Sequence, residues 1–308
     1  MLEEVSCYLC SSSDASHYTE AWDDLTGKRG TFHFVRCNQC GLVYQNPRIK
    51  QEYISQYYDD EYIAHRKKKN WGLMTPLYNW AMGKHDRQKA KLVARYTSLT
   101  SSSKILDIGC GAGTFLLKMH TLYGAGITGV DFKDLSALPG FDLIDFRHGP
   151  IGEKNFPETS FDLVTMWHFL EHDYTPMKTL AKIGQIIKDD GTLIIEVPRL
   201  DSVTAKLYRE RWPGLQAPQH TVLYNKLSLL ETVKNAGFEI QDYLPYGAFP
   251  AYFYLFSGLA FKLLKGKGLN LSRAVYPYFA GQVLALPVLL FEKQLNLAMQ
   301  TVICRKPQ

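Results

Sequence analysis

The chain has 308 residues, of which 46% are hydrophobic and 21% are charged, and its net charge is +5. These values are typical of a globular protein with one large domain or two smaller ones. The charge is too mild to indicate a nucleic-acid-binding protein, although it suits an acidic partner such as a phosphorylated substrate or anionic lipid head groups. The first ten residues lack a basic stretch followed by an apolar run, so no signal peptide is expected.

Two cysteine pairs open the chain, and each pair is separated by two residues. Four thiolates at this spacing are suited to a tetrahedral zinc ion, and Gly41 fits the tight turn after the second pair. Residues 32–36 alternate as a strand does. The pattern predicts a zinc ribbon over residues 1–48. Free cysteines, or a redox role for one pair, are the alternatives. The predicted zinc ligands are Cys7, Cys10, Cys37 and Cys40.

Residues 49–103 are predicted to form a helical lid and linker. The run HRKKK at 65–69 indicates a solvated face, or a contact with anionic lipid or phosphate. Residues 71–96 indicate one or two amphipathic helices, and a Ser/Thr-rich linker follows at 97–103. Tyrosines are frequent at the start of this segment, at Tyr53, Tyr57, Tyr58 and Tyr62.

Residues 104–117, KILDIGCGAGTFLL, predict a buried strand, a glycine loop and the start of a helix. The glycines let the backbone turn sharply and approach a ligand closely. Asp107 stands two residues before Gly109, the first glycine of the loop. A carboxylate there would repel a pyrophosphate but suits a ligand with a cationic group, such as the sulfonium and ammonium of S-adenosylmethionine (SAM).

The pattern Asp-x-Gly-x-Gly-x-Gly resembles the first motif of the class I SAM-dependent methyltransferases. Residues 127–131, which end in Asp131, resemble the second strand of that family, whose final acid binds the two ribose hydroxyls. Residues 161–170 and 188–197 resemble its fourth and fifth strands. The resemblance implies that SAM is bound by Asp107, Gly109, Cys110, Gly111, Gly113, Asp131, Phe132, Met166 and Trp167.

The resemblance also implies the fold class, which is an α/β protein with a Rossmann-like, seven-stranded sheet. The methyltransferase domain is predicted over residues 104–308. A third strand is expected at 141–146, a sixth at 238–244 and a seventh at 300–307. No acid follows the third strand near the adenine position, so backbone groups and apolar packing are expected there instead.

Two segments carry candidate catalytic residues. Glu171 and His172 resemble the Glu-His pair of related enzymes, including quinone O-methyltransferases, and His168 stands where some of these have a further, metal-binding Glu. This set could bind a metal or activate a hydroxyl, or Glu171 and His172 could simply fix the local turn. His220 lies in a segment that resembles nucleotide-sugar methyltransferases, with Gln219 in place of their preceding Glu. His220 is the first choice as a base, and a loop histidine bonded to the backbone is the alternative.

Residues 245–299 are predicted to be a helical apolar insertion before the last strand. Residues 249–264 contain one charge and residues 274–291 contain none, while Pro250, Pro277, Gly281 and Pro287 interrupt the two runs. Peripheral contact with a membrane through 249–291 is one interpretation, with lysines on the head groups. A cap over the acceptor pocket or a dimer interface is the other.

The sequence thus predicts an enzyme that transfers a methyl group from SAM to a hydroxyl of a glycan, nucleotide-sugar or lipid-linked acceptor, with structural zinc. We expect it in the cytoplasm, either free or on the inner face of the membrane, without a nucleic-acid partner. C- or N-methylation of a small molecule is one alternative. A zinc-ribbon binding protein with a non-catalytic SAM domain is another.

Overall fold

A computed structural model describes residues 1–58, 75–265, 267–268 and 271–307. Tyr62, Trp71 and the HRKKK run at 65–69 lie outside these ranges. Their predicted roles therefore stay predictions.

The described strands fall into a short N-terminal group and a longer group that begins at Lys104. In chain order they are β1 (Leu2–Glu3), β2 (Ala15–Ala21), β3 (Phe32–Cys37), β4 (Val43–Gln45), β5 (Arg48–Ile49), β6 (Lys104–Ile108), β7 (Gly126–Asp131), β8 (Asp145–His148), β9 (Phe161–Trp167), β10 (Ile187–Pro198), β11 (Val222–Leu223), β12 (Glu239–Leu244) and β13 (Met299–Arg305).

The described helices alternate with the strands in the centre of the chain and follow one another near its end. They are α1 (Gln51–Ile54), α2 (Thr75–Val93), α3 (Thr114–Tyr123), α4 (Pro176–Ile186), α5 (Val203–Tyr208), α6 (Lys226–Asn235), α7 (Ala251–Leu264), α8 (Leu271–Leu284), α9 (Leu286–Leu289) and α10 (Glu292–Leu295).

A seven-stranded sheet forms the centre of the protein, in the order β12-β13-β10-β9-β6-β7-β8. Strands β6 to β10 are parallel to their neighbours among themselves, and β13 runs antiparallel between β10 and β12. Ile105, Leu106 and Ile108 are fully buried, as expected for a parallel strand covered on both faces. The predicted Rossmann-like sheet is confirmed, and the carboxyl ends of β6, β7, β9 and β10 meet at one edge.

The third strand lies later than predicted. Residues 141–143 form a 3-10 turn, and β8 begins only at Asp145. Both Phe141 and Ile144 pack against the glycine loop, where a Cβ on Gly113 would lie 2.6 Å from Ile144 Cδ1 and 3.1 Å from Phe141 Cε2. Residues three apart share a face in a 3-10 turn but point to opposite faces in a strand, so the turn lets both side chains reach the loop.

The N-terminal residues form a sheet in the order β11-β4-β3-β2. Its edge strand β11 comes from residues 222–223, and Val222 pairs with Tyr44. Cys7, Cys37 and Tyr44 belong to the same buried cluster as Leu106 of the central sheet. The N-terminal module therefore shares both a sheet and a core with the rest of the protein.

The insertion between β12 and β13 consists of helices α7 to α10. Helices α7 and α8 pack through aromatic rings, with Tyr252 and Tyr278 centroids 5.0 Å apart. Among the residues described, no helix combines the length and the apolar character needed to cross a bilayer.

Candidate active site

The glycine loop after β6 requires residues without a Cβ. Gly109 and Gly113 have φ angles of +75° and +69°, which side chains rarely adopt. A Cβ on Gly109 would also lie 2.7 Å from the ring of Phe169. Gly113 is the residue before helix α3, so the loop ends at the N-terminus of that helix. The absence of a Cβ lets neighbouring side chains pack directly on the loop backbone.

Asp131 ends β7 beside this loop. Its Oδ2 accepts a hydrogen bond from the Gly111 N–H at 2.9 Å, and its Oδ1 accepts one from the Lys133 N–H at 3.1 Å. A carboxylate can accept several hydrogen bonds, including two from a vicinal diol. Phe132, the next residue, is 43% exposed. Binding of the ribose by Asp131 stays a prediction.

Asp107 lies in a buried, negatively charged environment. The Thr165 hydroxyl donates a hydrogen bond to its Oδ1 at 2.6 Å. Burial raises the pKa of Asp107 to about 7, and the charge of Asp131 acts in the same direction while Lys89 opposes it. A cationic ligand would favour the ionised carboxyl group.

Helix α2 adds residues to this region that the sequence reasoning missed. The Lys89 ammonium lies 5.1 Å from the centroid of the Trp167 ring. Asp86 is buried, and burial raises its pKa. Their spacing of three places both on one face of the helix, a signal that was available in the sequence.

The other candidate cofactor residues are less accessible. Met166 is fully buried in the core, and Cys110 is 8% exposed with its sulfur close to Gly129. Trp167 packs edge-on against Phe115, with centroids 5.4 Å apart. These residues are buried in the core, and their contact with SAM stays a prediction.

Glu171 and His172 lie on a 3-10 turn that follows β9, and His220 lies in the loop before β11. One ligand atom of each of these residues comes within 4.8 Å of those of the other two. His220 Nε2 is 4.0 Å from Glu171 Oε1. The structure thus brings together three candidate catalytic residues from separate segments, and we call this set the Glu-His-His cluster.

Backbone carbonyls fix the orientation of both imidazoles. His220 Nδ1 lies 2.8 Å from the Gly214 carbonyl oxygen, and His172 Nδ1 lies 3.0 Å from that of Gln219. Because a carbonyl only accepts, His220 Nδ1 carries the proton and its Nε2 presents a lone pair. Burial lowers the pKa of His172 and of His220 to about 3, so both are neutral at pH 7.

Glu171 is unusual in this cluster. It is 1% exposed, and within the described ranges neither carboxylate oxygen has a hydrogen-bond partner. It forms an ion pair with His168, whose Nδ1 lies 3.6 Å from Oε1. A buried carboxylate that accepts no hydrogen bond is costly, which makes Glu171 a candidate functional group.

His168 has a different partner from the one that the sequence suggested. Its Nε2 lies 3.1 Å from Glu196 Oε1, whereas its Nδ1 lies 3.6 Å from Glu171 Oε1. Burial opposes protonation of His168, but the two carboxylates outweigh it and raise its pKa to about 9. Glu196 also accepts the Ala248 and Phe249 N–H groups at 2.6 and 3.0 Å. This pair therefore anchors the start of the apolar insertion.

Tyr58 connects the cofactor edge to the Glu-His-His cluster. Its ring lies 4.8 Å from that of Phe132, and its hydroxyl lies 2.9 Å from His172 Nδ1. The neighbouring Tyr57 carbonyl accepts a hydrogen bond from Gln219 Nε2 at 3.0 Å. Tyr58 thus contacts both groups, and the lid predicted over residues 49–103 stays a prediction.

The four N-terminal cysteines lie within 4.8 Å of one another, and we call them the four-cysteine cluster. Their closest sulfur pairs, Cys7 with Cys40 and Cys10 with Cys37, are 3.4 Å apart, which is too far for a disulfide and close to the spacing around a tetrahedral ion. Both turns close in the same way, with the Ser11 and Gly41 N–H groups on the Cys7 and Cys37 carbonyls at 2.9 Å. The four-cysteine cluster fits structural zinc.

A family model described as a methyltransferase domain matches residues 82–243, which are 162 of the 308 residues. A probable SAM-dependent methyltransferase of Mycolicibacterium smegmatis is 24% identical over 154 residues, or 46% of this chain and 53% of that protein. A ubiquinone biosynthesis O-methyltransferase of Saccharophagus degradans is 29% identical over 160 residues, or 46% and 66%. The chain thus spans about half to two thirds of the length of these curated relatives.

Among solved structures, phosphoethanolamine N-methyltransferase 2 of Haemonchus contortus with bound SAM is similar at a TM-score of 0.50 and 18% identity. The match covers 86% of this chain and 63% of that one. A chain from a complex of the Haloferax volcanii Trm112 methyltransferase activator matches at a TM-score of 0.51 and 15% identity, over 75% and 92%. At these identities the likeness shows the fold alone.

Proposed function

The chain belongs to the SAM-dependent methyltransferase family, and from that premise we propose that it methylates a hydroxyl of a glycan, nucleotide-sugar or lipid-linked acceptor. Asp107, Asp131 and the glycine loop bind SAM in this proposal. The main support is the position of the Glu-His-His cluster. Tyr58 contacts both His172 of this cluster and the exposed residue Phe132. A proton acceptor next to the cofactor edge is what transfer to a hydroxyl requires.

The reaction makes few demands on the protein. The sulfonium of SAM supplies a reactive methyl group. The acceptor oxygen forms the new C–O bond with a lone pair, the C–S bond breaks with its electron pair on sulfur, and the hydroxyl proton leaves to a base. His220 Nε2 presents a lone pair for that proton. The protein's main task is to align the hydroxyl with the methyl group and to exclude water.

Two features favour oxygen as the acceptor atom. Gln219 stands where the sugar C-methyltransferases that resemble this segment have a Glu, and its side chain is committed to the Tyr57 carbonyl. Four of the relatives, including those from Saccharophagus degradans and Nitrosococcus oceani, are named ubiquinone biosynthesis O-methyltransferases, whereas one relative is named a ubiquinone/menaquinone biosynthesis C-methyltransferase.

The surface of the insertion favours a lipid-linked acceptor within this class. Large apolar side chains are exposed on three successive helices, at Leu259, Leu263, Val283, Leu284, Leu286 and Leu290. Lys265 and Lys267, also exposed, follow α7. Apolar side chains next to lysines suit the interface of an anionic membrane. In this proposal the insertion rests on the inner face of the membrane and brings the site to its acceptor.

The test is transfer of labelled methyl from SAM into a cell extract that is then partitioned into organic and aqueous phases. Asp131→Ala should abolish transfer, and Asp134→Ala, at an exposed aspartate nearby, should leave it intact. Label in the organic phase supports a lipid-linked acceptor, and label in the aqueous phase supports a nucleotide-sugar or soluble glycan.

Two outcomes would overturn the proposal. If the labelled product carries the methyl group on carbon or nitrogen, the enzyme is the C- or N-methyltransferase that the sequence left open. If SAM does not bind and no transfer exceeds that of Asp131→Ala, the protein is a zinc-ribbon binding protein with a non-catalytic domain.

A further inference from the structure

We propose that the loop at residues 22–31 and the end of helix α7 form a binding site for the phosphate group of a lipid-linked ligand. The site is an open pocket of about 310 Å³. Its use in catalysis rests on the proposed function, because the phosphate would belong to the lipid-linked acceptor. The side chains that line the pocket include Trp22, Lys28, Arg29, Thr31 and Lys265.

The lining of this pocket is positively charged. Lys28, Arg29 and Lys265 contribute three cationic side chains, whereas no acidic residue lines the pocket among the residues that the structure describes. Lys28 donates to the Gln56 carbonyl oxygen, but an ammonium group has three N–H donors and can hold a phosphate as well. Lysine and arginine bind phosphate oxygens through charge-assisted hydrogen bonds. The pocket therefore suits a phosphate or diphosphate.

The two aspartates that follow Trp22 have other partners. Asp23 accepts the Thr26 N–H at 2.8 Å, and Asp24 lies 2.6 Å from Arg211 Nη1. The guanidinium of Arg211 also lies over the Trp22 ring, 4.2 Å from its centroid. This ion pair therefore holds the indole in place as one wall of the pocket. An indole offers an apolar surface for the group that the phosphate carries.

Two glycines hold the halves of the pocket together. Gly27 and Gly268 have φ angles of +78° and +74°. A Cβ on Gly27 would lie 2.9 Å from the Gly268 nitrogen, and a Cβ on Gly268 would lie 2.9 Å from the Thr26 carbonyl oxygen. The turn in the N-terminal module and the loop after α7 thus meet backbone to backbone. This contact brings Lys265 into the same pocket as Arg29.

Helix α7 leads from the pocket to an exposed apolar surface. Leu259 and Leu263 are 54% and 74% exposed, and their spacing of four places both on one face of the helix. Lys265 lies two residues after Leu263. A phosphate in the pocket would therefore lie next to side chains that suit the apolar chains of a bilayer. This arrangement favours a lipid phosphate over a soluble one.

The pocket is also connected to the Glu-His-His cluster. Lys28 Nζ lies 5.7 Å from the centroid of the Tyr57 ring. The next residue is Tyr58, whose hydroxyl lies 2.9 Å from His172 Nδ1. The phosphate in the pocket and the hydroxyl that accepts the methyl group would then belong to one lipid-linked molecule.

The experiment measures binding of the full chain, with zinc in the four-cysteine cluster, to vesicles without SAM. The probe is a phosphatidylcholine vesicle with a minor fraction of hexadecyl phosphate, and a vesicle of equal charge made with phosphatidylglycerol is the comparison. We expect tighter binding to the hexadecyl phosphate vesicle. Arg29→Gln and Lys265→Gln should each weaken it about tenfold, as for loss of one hydrogen bond between charged groups. Lys178→Gln, at an exposed lysine of α4, is the matched control and should bind as the wild type does.

An unchanged circular dichroism spectrum shows that each variant is folded. The proposal is overturned if both vesicles bind equally, or if Arg29→Gln and Lys265→Gln bind as the wild type does. It is also overturned if inorganic pyrophosphate binds as tightly as the hexadecyl phosphate vesicle, which would assign the pocket to a soluble phosphorylated ligand. Selective binding without any methyl transfer would contradict the proposed function and leave this site standing. Methyl transfer into the organic phase that neither substitution changes would do the reverse.

Discussion

The described part of the chain contains two clusters of side chains that could hold a metal ion, and they are built in opposite ways. The four-cysteine cluster uses identical ligands from two short turns, with sulfur atoms as close as 3.4 Å and both turns closed by backbone hydrogen bonds. The Glu-His-His cluster draws its side chains from the turn after β9 and the loop before β11, and its buried carboxylate accepts no hydrogen bond among the described residues. A site with four protein ligands stabilises the fold. A site with fewer protein ligands stabilises the fold less and leaves a position where a substrate can react.

The two clusters are nevertheless connected. Thr221 lies between them, since its carbonyl accepts the Gln45 N–H at 2.8 Å and its own N–H donates to the Glu171 carbonyl at 2.8 Å. Strand β11 begins at the next residue and completes the sheet of the N-terminal module. Damage to the four-cysteine cluster should therefore reach the other cluster, and damage in the reverse direction should not.

The largest effect is expected from Cys37→Ser. Loss of a structural zinc ligand should lower the free energy of unfolding by about 4 kcal/mol or more and abolish transfer, because β4 and β11 lose their support. Calorimetry and zinc analysis measure the effect. Cys304→Ala, at a cysteine buried in β13, is the control and should keep its zinc. Full transfer by zinc-free protein would break the proposed connection.

Glu196→Gln should give the next largest effect. Glu196 pairs with His168 and accepts two backbone N–H groups, and these hydrogen bonds hold its pKa at about 2 against the effect of burial. Removing one partner of a buried ion pair should lower the free energy of unfolding by about 3 kcal/mol. Chemical denaturation measures it. A variant as stable as the wild type would show that the pair does not hold the insertion.

Glu171→Gln should behave in the opposite way to Glu196→Gln. The variant should transfer methyl about 100-fold more slowly, as for loss of a group that acts in proton transfer. Its melting temperature should fall less than that of Glu196→Gln, because Glu171 accepts no hydrogen bond among the described residues and lies farther from His168, at 3.6 Å against 3.1 Å. Steady-state kinetics and thermal unfolding separate the two effects. A clear drop in melting temperature at normal kcat would make Glu171 a structural residue.

The smallest effect lies outside both clusters, at Asp107. Its pKa of about 7 means that the carboxyl group is mostly protonated at pH 6 and mostly ionised at pH 8. Because cationic SAM favours the ionised form, its affinity should fall about tenfold between pH 8 and pH 6. Titration calorimetry gives the profile. Asp107→Asn should bind more weakly with a flatter profile, and an equally steep profile would assign the proton to another group.

The contrast between the clusters also explains what sequence reasoning could find. Cysteine spacing, the glycine loop and Asp131 are local patterns, because each follows from residues within one turn or strand. The approach of His172 to the Gln219 loop joins positions 47 residues apart, and nothing in either segment indicates it. Sequence reasoning accordingly named Glu171, His172 and His220 but grouped the first two with His168.

Two further misses have physical reasons. A third strand was expected at 141–146, yet packing of Phe141 and Ile144 against Gly113 requires a turn. Strand β11 has only two residues, too few to give a periodic signal, although it joins the N-terminal module to the domain of the central sheet. In both places a tertiary contact decided the local structure.

The pairing of Val222 with Tyr44 has a consequence for synthesis on the ribosome. The cysteine-rich module is translated before the central sheet. Its own sheet is completed only by an edge strand that follows the glycine loop, β9 and β10 in the chain. Pairings between such distant positions form late, so this module is completed after segments that are translated later.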